Sequence, residues 1–358
     1  MSAEVFFVEL PEASTVEQRV AATERILDGC GLQRIAAKLD RVAVKIHIGE
    51  GSNDTHLAPP IVRAVVERLK RQGCSPFLTE TSTLYKGNRS NAIDHLIHAF
   101  EHGFTYEAVG APFIMADGLS GNSEVEVPIP GVLFQKVNIA REVVFADALV
   151  AVTHAKGHLA NGLGGTIKNL GMGLASRMGK LRQHSSLKPR VDPKACTLCS
   201  KCIRWCPVEA IVEREGKAFI LTEPCIGCGE CLAVCRFDAV KFDWGTQAAD
   251  LQRKEAEHTL GVILDKRDKC LFLNYMVDMT RDCDCMNRAQ QRIQPDLGVL
   301  ASRDPVAVDQ AVLDLTKERF GRSLAEEGWP KIDACIQLEH GQRIGLGSRA
   351  YRLRRLPE

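Results

Sequence analysis

Short apolar runs alternate with amphipathic segments in the first and last parts of the chain. The runs rich in Val, Ile and Leu predict strands at Glu4–Glu9, Arg41–Ile48, Ser75–Thr79, Asp147–Thr153, Lys269–Val277 and Gly298–Ala301. Helical spacing of apolar positions predicts helices at Thr15–Gly29, Pro59–Gln72, Asn91–His102, Gln247–Leu264 and Pro305–Arg319. Because these strands alternate with helices, we predict an α/β domain with a mainly parallel sheet.

The alternation of apolar strands and amphipathic helices stops after Thr153 and resumes after Trp244. Gly157–Gly173 holds six glycines in 17 residues, and a basic stretch follows at Arg177–Lys194, which we expect to be a solvated linker. A cysteine-rich segment comes next. We therefore predict a discontinuous α/β domain, residues 1–188 plus 246–358, with an inserted module at residues 189–245. Such insertions are tolerated at surface loops.

Charge and composition exclude several classes of protein. The chain has 46 Lys and Arg against 45 Asp and Glu, so it carries no basic surface of the kind that binds nucleic acid. No apolar run approaches the roughly 18 residues of a membrane span. The first residues lack the basic and apolar regions of a signal peptide, so we expect a cytoplasmic location. In that compartment, 14 cysteines indicate metal binding rather than disulfides.

Eight of the 14 cysteines form two runs with the spacing C-x2-C-x2-C-x3-C, the second run 29 residues after the first. In bacterial two-cluster ferredoxins, the fourth cysteine of each such run binds the other cluster. The predicted ligands of one 4Fe–4S cluster are Cys196, Cys199, Cys202 and Cys235, and those of the second are Cys225, Cys228, Cys231 and Cys206. Two structural zinc sites are the alternative, although zinc does not require this double spacing.

The segment between the two runs predicts a small hairpin, with Ala210–Val212 and Ala218–Leu221 on either side of Glu215–Gly216. We expect Trp205 and Phe219 to pack in the core beside the clusters. The module resembles the bacterial dicluster ferredoxins. That resemblance implies one-electron transfer through each cluster and a redox partner protein as electron donor or acceptor.

The flanking segments resemble a second family, the uncharacterised "domain of unknown function three-six-two" (DUF362) proteins. The resemblance lies in Val44–Gly49, Gly73–Tyr85, Ala146–His158, Gly164–Gly173, Cys283–Cys285 and Leu297–Asp309. Members often carry an inserted ferredoxin module, and the family is distantly similar to lactate-racemase-type α/β proteins. The resemblance therefore implies a fold and a redox context, but no established reaction.

The glycine-rich segment after Asp147–Thr153 is the first candidate for chemistry. His154, Lys156 and His158 follow this apolar strand at its carboxyl end, where α/β sheets bind ligands. Glycines 162, 164 and 165 precede a predicted helix that carries Lys168. Such a segment forms a nest of N–H groups for an anion, so a small anionic substrate is expected here. The alternative is that the histidines only cap or hydrogen-bond and the glycines only permit close packing.

Cys283-Asp284-Cys285 is the second candidate. In an extended chain residues i and i+2 point to the same side, so the two sulfurs would face one ligand. If the strand Lys269–Val277 returns beside them, Cys270, Cys283 and Cys285 would hold a third iron–sulfur cluster or a metal ion with an open position. A pair of redox-inert thiols is the alternative.

Two further groups have competing interpretations. Glu80, Thr81, Tyr85, Lys86 and Arg89 follow a strand and either line the same cleft or form a solvated loop. Asp304 precedes Pro305 and is expected to cap a helix, with Asp309 a candidate to face the cleft.

These features favour an iron–sulfur redox protein that passes electrons through two 4Fe–4S clusters to or from a site in the α/β domain. One alternative is a non-enzymatic ferredoxin-type electron carrier or adaptor that docks on a partner enzyme. Another is a metallocofactor maturation factor, for which the Cys-x-Cys pair is the sequence support.

Overall fold

The structure is a computed structural model, and it describes residues 3–184, 188–225, 230–241 and 248–357. The strands of this part are β1 (Ala3–Glu9), β2 (Arg41–Lys45), β3 (Ser75–Glu80), β4 (Phe113–Met115), β5 (Glu124–Pro128), β6 (Lys136–Ala140), β7 (Ala148–His154), β8 (Lys156–His158), β9 (Gly162–Gly164), β10 (Arg190–Val191), β11 (Ile211–Arg214), β12 (Lys217–Ile220), β13 (Val240–Lys241), β14 (Cys270–Met276), β15 (Gly298–Ser302) and β16 (Tyr351–Arg355).

The α-helices of the same residues are α1 (Val16–Gly29), α2 (Pro59–Arg71), α3 (Ala92–Glu101), α4 (Tyr106–Val109), α5 (Arg141–Val144), α6 (Thr166–Gly171), α7 (Arg177–His184), α8 (Lys201–Arg204), α9 (Glu230–Val234), α10 (Ala248–Ile263), α11 (Pro305–Phe320), α12 (Leu324–Gly328) and α13 (Cys335–Arg343). Short 3-10 helices occupy Leu32–Arg34 and Arg267–Lys269.

Strands from both flanks of the module build one sheet. In the described residues its order is β16-β1-β15-β14-β7-β2-β3-β4. Strands β14, β7, β2, β3 and β4 are parallel, while β15 runs antiparallel to its neighbours β14 and β1. This arrangement confirms the prediction of a mainly parallel α/β domain. It also brings the carboxyl ends of β2, β3, β7 and β14 to one edge.

Helices cover both faces of this sheet. Val42 and Val44 of β2 pack into an apolar cluster with α1 and α2, whereas Ala43 between them packs into a second cluster with α6 and α10. The alternation follows from the two-residue period of a strand. It explains why the central strands are apolar at nearly every position.

Local capping signals predict several helix starts correctly. Thr15 accepts a hydrogen bond from the Gln18 N–H and forms a capping box at α1. Asn91 caps α3. Asp304 accepts from the N–H groups of Val306 and Ala307 with Pro305 in the first turn of α11, so the expected cap is confirmed.

Two small sheets belong to the cysteine-rich region. Strands β11 and β12 form the expected antiparallel hairpin, and β10 pairs with β13. The predicted end of the module, residue 245, lies in 242–247, outside the described residues, as do Trp244 and Gln247. The domain limits 1–188, 189–245 and 246–358 therefore stay a prediction.

Two expectations about this region are wrong. The basic stretch begins as helix α7, in which Arg177 and Lys180 are buried, so it is not a solvated linker along its whole length. Trp205 is 57% exposed and Phe219 is 43% exposed, so neither belongs to the core. The module's apolar core is instead built from its cysteines and small aliphatic residues.

Candidate functional site

A cavity of about 760 Å³ opens where β2, β3, β7 and β14 end. Residues that follow these strands form part of its wall, and helices α6, α7 and α10 form the rest. Its ionisable side chains include Lys45, Glu80, Arg89, Lys168, Lys180 and Glu255. The site therefore lies at the sheet edge that the sequence indicates, because ligands of α/β proteins bind at the carboxyl ends of strands.

The four candidate residues of the glycine-rich segment separate into two pairs. His158 and Lys168 line the cavity. His154 and Lys156 instead turn to Asp284: His154 Nδ1 lies 2.9 Å from Asp284 Oδ2, and Lys156 Nζ lies 3.4 Å from Asp284 Oδ1. Burial would raise the pKa of Asp284, but Lys156 and His154 hold that pKa well below its usual value. His154 and Lys156 therefore anchor the Cys-Asp-Cys loop.

Lys168 and Glu255 both line the cavity and interact electrostatically. Burial lowers the pKa of Lys168, and Glu255 opposes that shift. Burial raises the pKa of Glu255 to about 7. One of its oxygens accepts a hydrogen bond from Asn161, and among the described residues the other, Oε1, has no partner. Glu255 is thus a buried carboxyl group able to give or take a proton near neutral pH.

A second charged network forms the opposite wall. Arg89 donates to Glu50 at 2.9 Å and to Glu80 at 3.3 Å, and Tyr85 bonds both Arg89 and Glu50. Burial would raise the pKa of Glu80, but Lys45 and His47 keep that pKa well below its usual value. Thr81 and Lys86 also line the cavity. The segment after β3 therefore lines the cleft and is not merely a solvated loop.

The predicted anion nest is filled by the protein itself. Asp309 of α11 accepts hydrogen bonds from the N–H groups of Thr166 (2.7 Å) and Ile167 (2.9 Å) at the start of α6. Gly165 permits this contact, because a Cβ there would lie 2.6 Å from an Asp309 oxygen. The expectation that this helix start binds a substrate anion, and that Asp309 faces the cleft, is wrong.

Cys270 does not join the Cys-x-Cys pair. It pairs with Leu149 at the first residue of β14, whereas Cys283 and Cys285 follow the other end of that strand. Six residues of strand separate these ends by about 20 Å. The Cys270 Sγ donates to the Lys266 carbonyl, and burial raises the pKa of this thiol to about 12. The set Cys270, Cys283 and Cys285 is therefore wrong as a ligand set.

His158 takes the place expected for Cys270. One ring nitrogen of His158 and the sulfurs of Cys283 and Cys285 all lie within 4.8 Å of one another. The structure joins Cys283 to Cys285 as a disulfide, with Cα atoms 5.3 Å apart. Cys285 lines the cavity, and Lys168 Nζ lies 3.8 Å from Cys283 Sγ.

The two cysteine runs share one local structure. In the first, the Ala210 N–H donates to Cys206 Sγ at 3.2 Å; in the second, the Ala239 N–H donates to Cys235 Sγ at 3.3 Å. These two bonds lie 29 residues apart, as do helices α8 and α9. The repeated spacing in the sequence therefore corresponds to a repeated backbone that directs N–H groups at thiol sulfurs.

The sulfurs of the first predicted ligand set lie near one another. Burial raises the pKa of Cys202. Three neighbouring thiols raise it further, those of Cys235, Cys196 and Cys199. Of the second set, Cys206, Cys225 and Cys231 belong to the same core as the first, while Cys228 lies in 226–229, outside the described residues.

The described sulfurs of the module are not grouped as closely as a single zinc ion requires. Four thiolates on zinc, with Zn–S bonds of about 2.3 Å, lie about 3.8 Å apart. In the described residues, no three donor atoms of the module's cysteines approach within 4.8 Å of one another as a group; the triad that does so is His158, Cys283 and Cys285. N–H groups directed at the sulfurs would stabilise the charge of an iron–sulfur cluster.

The module touches the cavity wall through helix α9. Leu232 packs against Leu84, which lines the cavity, and against Leu181 of α7. Asn122 of the α/β domain donates to Glu230 at 3.2 Å. The described chain also enters the module from α7 and leaves it into α10, and both helices line the cavity.

Sequence reasoning missed several cavity residues. Lys45 ends β2 and His47 follows it, in a segment that the sequence analysis treats only as a strand and as part of the family resemblance. Glu255 stands on the buried side of α10, between Leu251 and Thr259. The sequence signal for Glu255 is a carboxylate at a position where helical spacing predicts a buried residue. No such local signal marks Lys180, because its burial depends on the packing of α7.

Comparison with known proteins gives two kinds of relative. The family described as "Domain of unknown function (DUF362)" matches residues 42–314. A putative iron-sulfur subunit of dimethyl sulfoxide reductase from Halobacterium salinarum is 32% identical over 120 residues, which cover 31% of this chain and 44% of that protein. Pyruvate synthase subunit PorD of Methanothermobacter marburgensis is 33% identical over 81 residues, covering 23% of this chain and 93% of that protein.

A structural comparison finds the lactate racemase apoprotein of Thermoanaerobacterium thermosaccharolyticum, with a TM-score of 0.40 and 14% identity over 76% of this chain and 51% of that one. The chain thus spans less than half the length of the Halobacterium protein and about half that of the racemase. Among the helices that the structure describes, none combines the length and apolar character of a membrane crossing.

Proposed function

This chain belongs to the DUF362 family and carries a ferredoxin-type module, and from that premise we propose that it is an iron–sulfur electron-transfer protein. In this proposal the module holds two 4Fe–4S clusters. The ligands are Cys196, Cys199, Cys202 and Cys235 for one cluster, and Cys206, Cys225, Cys228 and Cys231 for the other. The module exchanges electrons between a redox partner protein and the cavity of the α/β domain.

The observation that carries this proposal is the repeated sulfur environment of the module. The N–H···S bonds at Cys206 and Cys235 recur with the 29-residue period of the cysteine runs. Two more N–H groups, those of Leu198 and Ala218, each lie 3.5 Å from Cys196 Sγ. When bound, such clusters supply one-electron transfer at a potential set by these hydrogen bonds and by solvent access.

The attachment of the module supports the cavity as the other end of the electron path. Helix α7 leads into the module and α10 leads out of it, and both carry cavity residues. Leu232, which follows the proposed ligand Cys231, packs on Leu84 of the cavity wall.

The charges of the cavity favour a small anionic substrate. Lys45, Arg89, Lys168 and Lys180 face Glu50, Glu80 and Glu255. Burial raises the pKa of Glu255 to about 7, so this carboxyl is partly protonated at neutral pH. The four basic side chains outnumber the three acidic ones, and this surplus of positive charge attracts anions. Burial also lowers the pKa of Lys180 to about 7, so a second proton donor is available there.

Metal analysis of the protein purified without air tests this function. We expect about eight irons and about eight sulfides per chain, four of each for every cluster. After reduction, electron paramagnetic resonance should show two interacting one-electron centres. About twelve irons would instead indicate a third cluster. Colourless protein that carries zinc and no sulfide would contradict the proposal.

A matched pair of variants assigns the ligands. Cys202→Ser removes a proposed ligand and should lose about half of the iron, because each cluster holds four. Cys335→Ser changes a half-buried cysteine of the α/β domain and should lose none. Equal iron content in the two variants would contradict the assignment.

A further inference from the structure

Cys283 and Cys285 lie on the cavity wall as a disulfide-bonded pair with unequal exposure. Cys283 is buried, while Cys285 is half-buried and lines the cavity. The pair is thus open to the cavity on one side and enclosed on the other. This arrangement suits a disulfide that is opened and re-formed. The accessible sulfur of Cys285 reacts first, and the buried sulfur of Cys283 then re-forms the bond.

The loop that carries the pair is held independently of the S–S bond. Asp284, between the two cysteines, contacts His154 at 2.9 Å, Thr55 Oγ1 at 3.0 Å and Lys156 at 3.4 Å. The Cys283 carbonyl accepts from Gln290 Nε2 and from the Met286 N–H, each at 3.1 Å. Opening the disulfide would leave these contacts in place, so the two thiols would remain adjacent.

Two proton-bearing groups face the sulfurs. Lys168 Nζ lies 3.8 Å from Cys283 Sγ, where its positive charge would stabilise a thiolate. A ring nitrogen of His158 lies within 4.8 Å of both sulfurs. Opening the bond needs protons or counter-charge at the sulfurs, and the Lys168 ammonium group can supply either one at Cys283.

The hydrogen bonds of His158 oppose a metal ion at this triad. His158 Nδ1 accepts from the backbone N–H groups of Ala160 (3.3 Å) and Asn161 (3.1 Å). Because backbone N–H groups only donate, the neutral ring carries its proton on Nε2. A histidine that binds a metal normally donates its other N–H to an acceptor, which is the reverse of this arrangement. Nδ1 is therefore occupied, and Nε2–H is a hydrogen-bond donor without a lone pair for a metal ion.

We propose that Cys283 and Cys285 form a redox-active dithiol–disulfide pair, reached from the cavity, that takes electrons from a low-potential iron–sulfur donor. The inference rests on the proposed function for that donor, the module. In the balanced step the S–S bond breaks, the two sulfurs gain two electrons and two protons, and two thiols form. The electrons arrive singly from one-electron centres, Lys168 delivers one proton, and solvent in the cavity delivers the other at the half-buried Cys285.

The sequence offers a direct readout of this pair. Cleavage after Arg281 and Arg288 releases residues 282–288, which contain Cys283 and Cys285 and no other cysteine. The holoprotein is first oxidised, then reduced without air by a reduced viologen, and alkylated before digestion. We expect the peptide to change from the unmodified disulfide to the doubly alkylated form, with two electrons taken up beyond those stored in the clusters.

The double variant Cys202→Ser/Cys231→Ser, which removes a proposed ligand of each cluster, is the test variant, and Cys335→Ser is its control. The first should lose viologen-driven alkylation of the peptide, and the second should keep it. Dithiothreitol should open the pair in both proteins, which verifies that the variant still presents the disulfide. The electron count of the wild-type protein tests the proposal even if the double variant does not fold.

Several outcomes would overturn the inference. If electron paramagnetic resonance shows reduced clusters while the disulfide persists, the inference is wrong and the proposed function still holds. A stoichiometric metal ion that protects both thiols from alkylation would also overturn it, in favour of a metal centre. Protein that binds no iron at all would contradict the proposed function and the inference together.

Discussion

At the scale of single residues, burial sets the chemistry of the cavity. Glu255 and Lys180 are ordinary acidic and basic side chains that lie almost entirely out of water, and Lys168 is partly buried. Desolvation penalises the charged form, so the pKa of the acid rises while the pKa values of both lysines fall. The pKa values of Glu255 and Lys180 are each about 7, so these two groups exchange protons at neutral pH.

Glu255 gives a prediction for pH. The pKa of Glu255 is raised in the folded protein to about 7 from 4.5, so the folded state holds a proton that the unfolded state releases. Stability from this group is present below pH 4.5 and is lost as the pH rises to about 7. Glu255→Gln should remove this dependence of the unfolding free energy on pH, which totals about 3 kcal/mol over the interval.

Urea unfolding of the holoprotein from about pH 5 to about pH 8 measures this slope. Glu318→Gln, a change at an exposed position, is the control and should leave the slope unchanged. Identical pH profiles for wild type and Glu255→Gln would show that Glu255 titrates normally.

At the scale of elements, the start of α6 is capped by a distant part of the chain. Asp309 lies 143 residues after Thr166 and satisfies two N–H groups of that helix, while Asn274 of β14 donates to the same carboxylate at 3.0 Å. One buried carboxylate thus ties α6, α11 and β14 together. The glycine-rich segment before α6 permits this close approach, and its role is structural.

We expect Asp309→Ala to destabilise the protein by about 3 kcal/mol, because the variant leaves buried N–H groups without an acceptor. Asp309→Asn keeps one oxygen acceptor and should lose less. The midpoint and slope of urea unfolding give both values. If the alanine variant were as stable as the asparagine variant, the capping bonds would not matter.

At the scale of the whole molecule, the module is attached through the cavity wall. Leu232 packs against Leu84 and Leu181, and the described α/β residues that precede and follow the module in sequence belong to the cavity helices α7 and α10. We expect the contact of Leu232 to hold the module beside the cavity.

Leu232→Glu should loosen this attachment, because it places a charge in an apolar contact. We expect faster hydrogen–deuterium exchange at residues 80–90 and 177–184, and iron content is measured in parallel because Leu232 also packs against the module's own core. Phe219→Glu, at an exposed position on the module's hairpin, should change neither. Loss of iron in Leu232→Glu would mean that the residue supports the module's own fold.

Properties with a local cause were predictable from the sequence. The strands and helices follow from the periods of apolar positions, and the caps at Thr15, Asn91 and Asp304 follow from residues one to three positions away. The cysteine runs likewise carry their own signature in their spacing.

Contacts between distant segments became known only from the folded chain. The sheet order brings the ends of β7 and β14 together, and this places His158, not Cys270, beside Cys283 and Cys285. The same packing fills the expected anion nest with Asp309 and buries Glu255. Local sterics and hydrogen bonding determine the strands, helices, caps and cysteine spacing. The long-range contacts depend instead on which faces of distant elements pack together and exclude water. No short stretch of sequence contains that information.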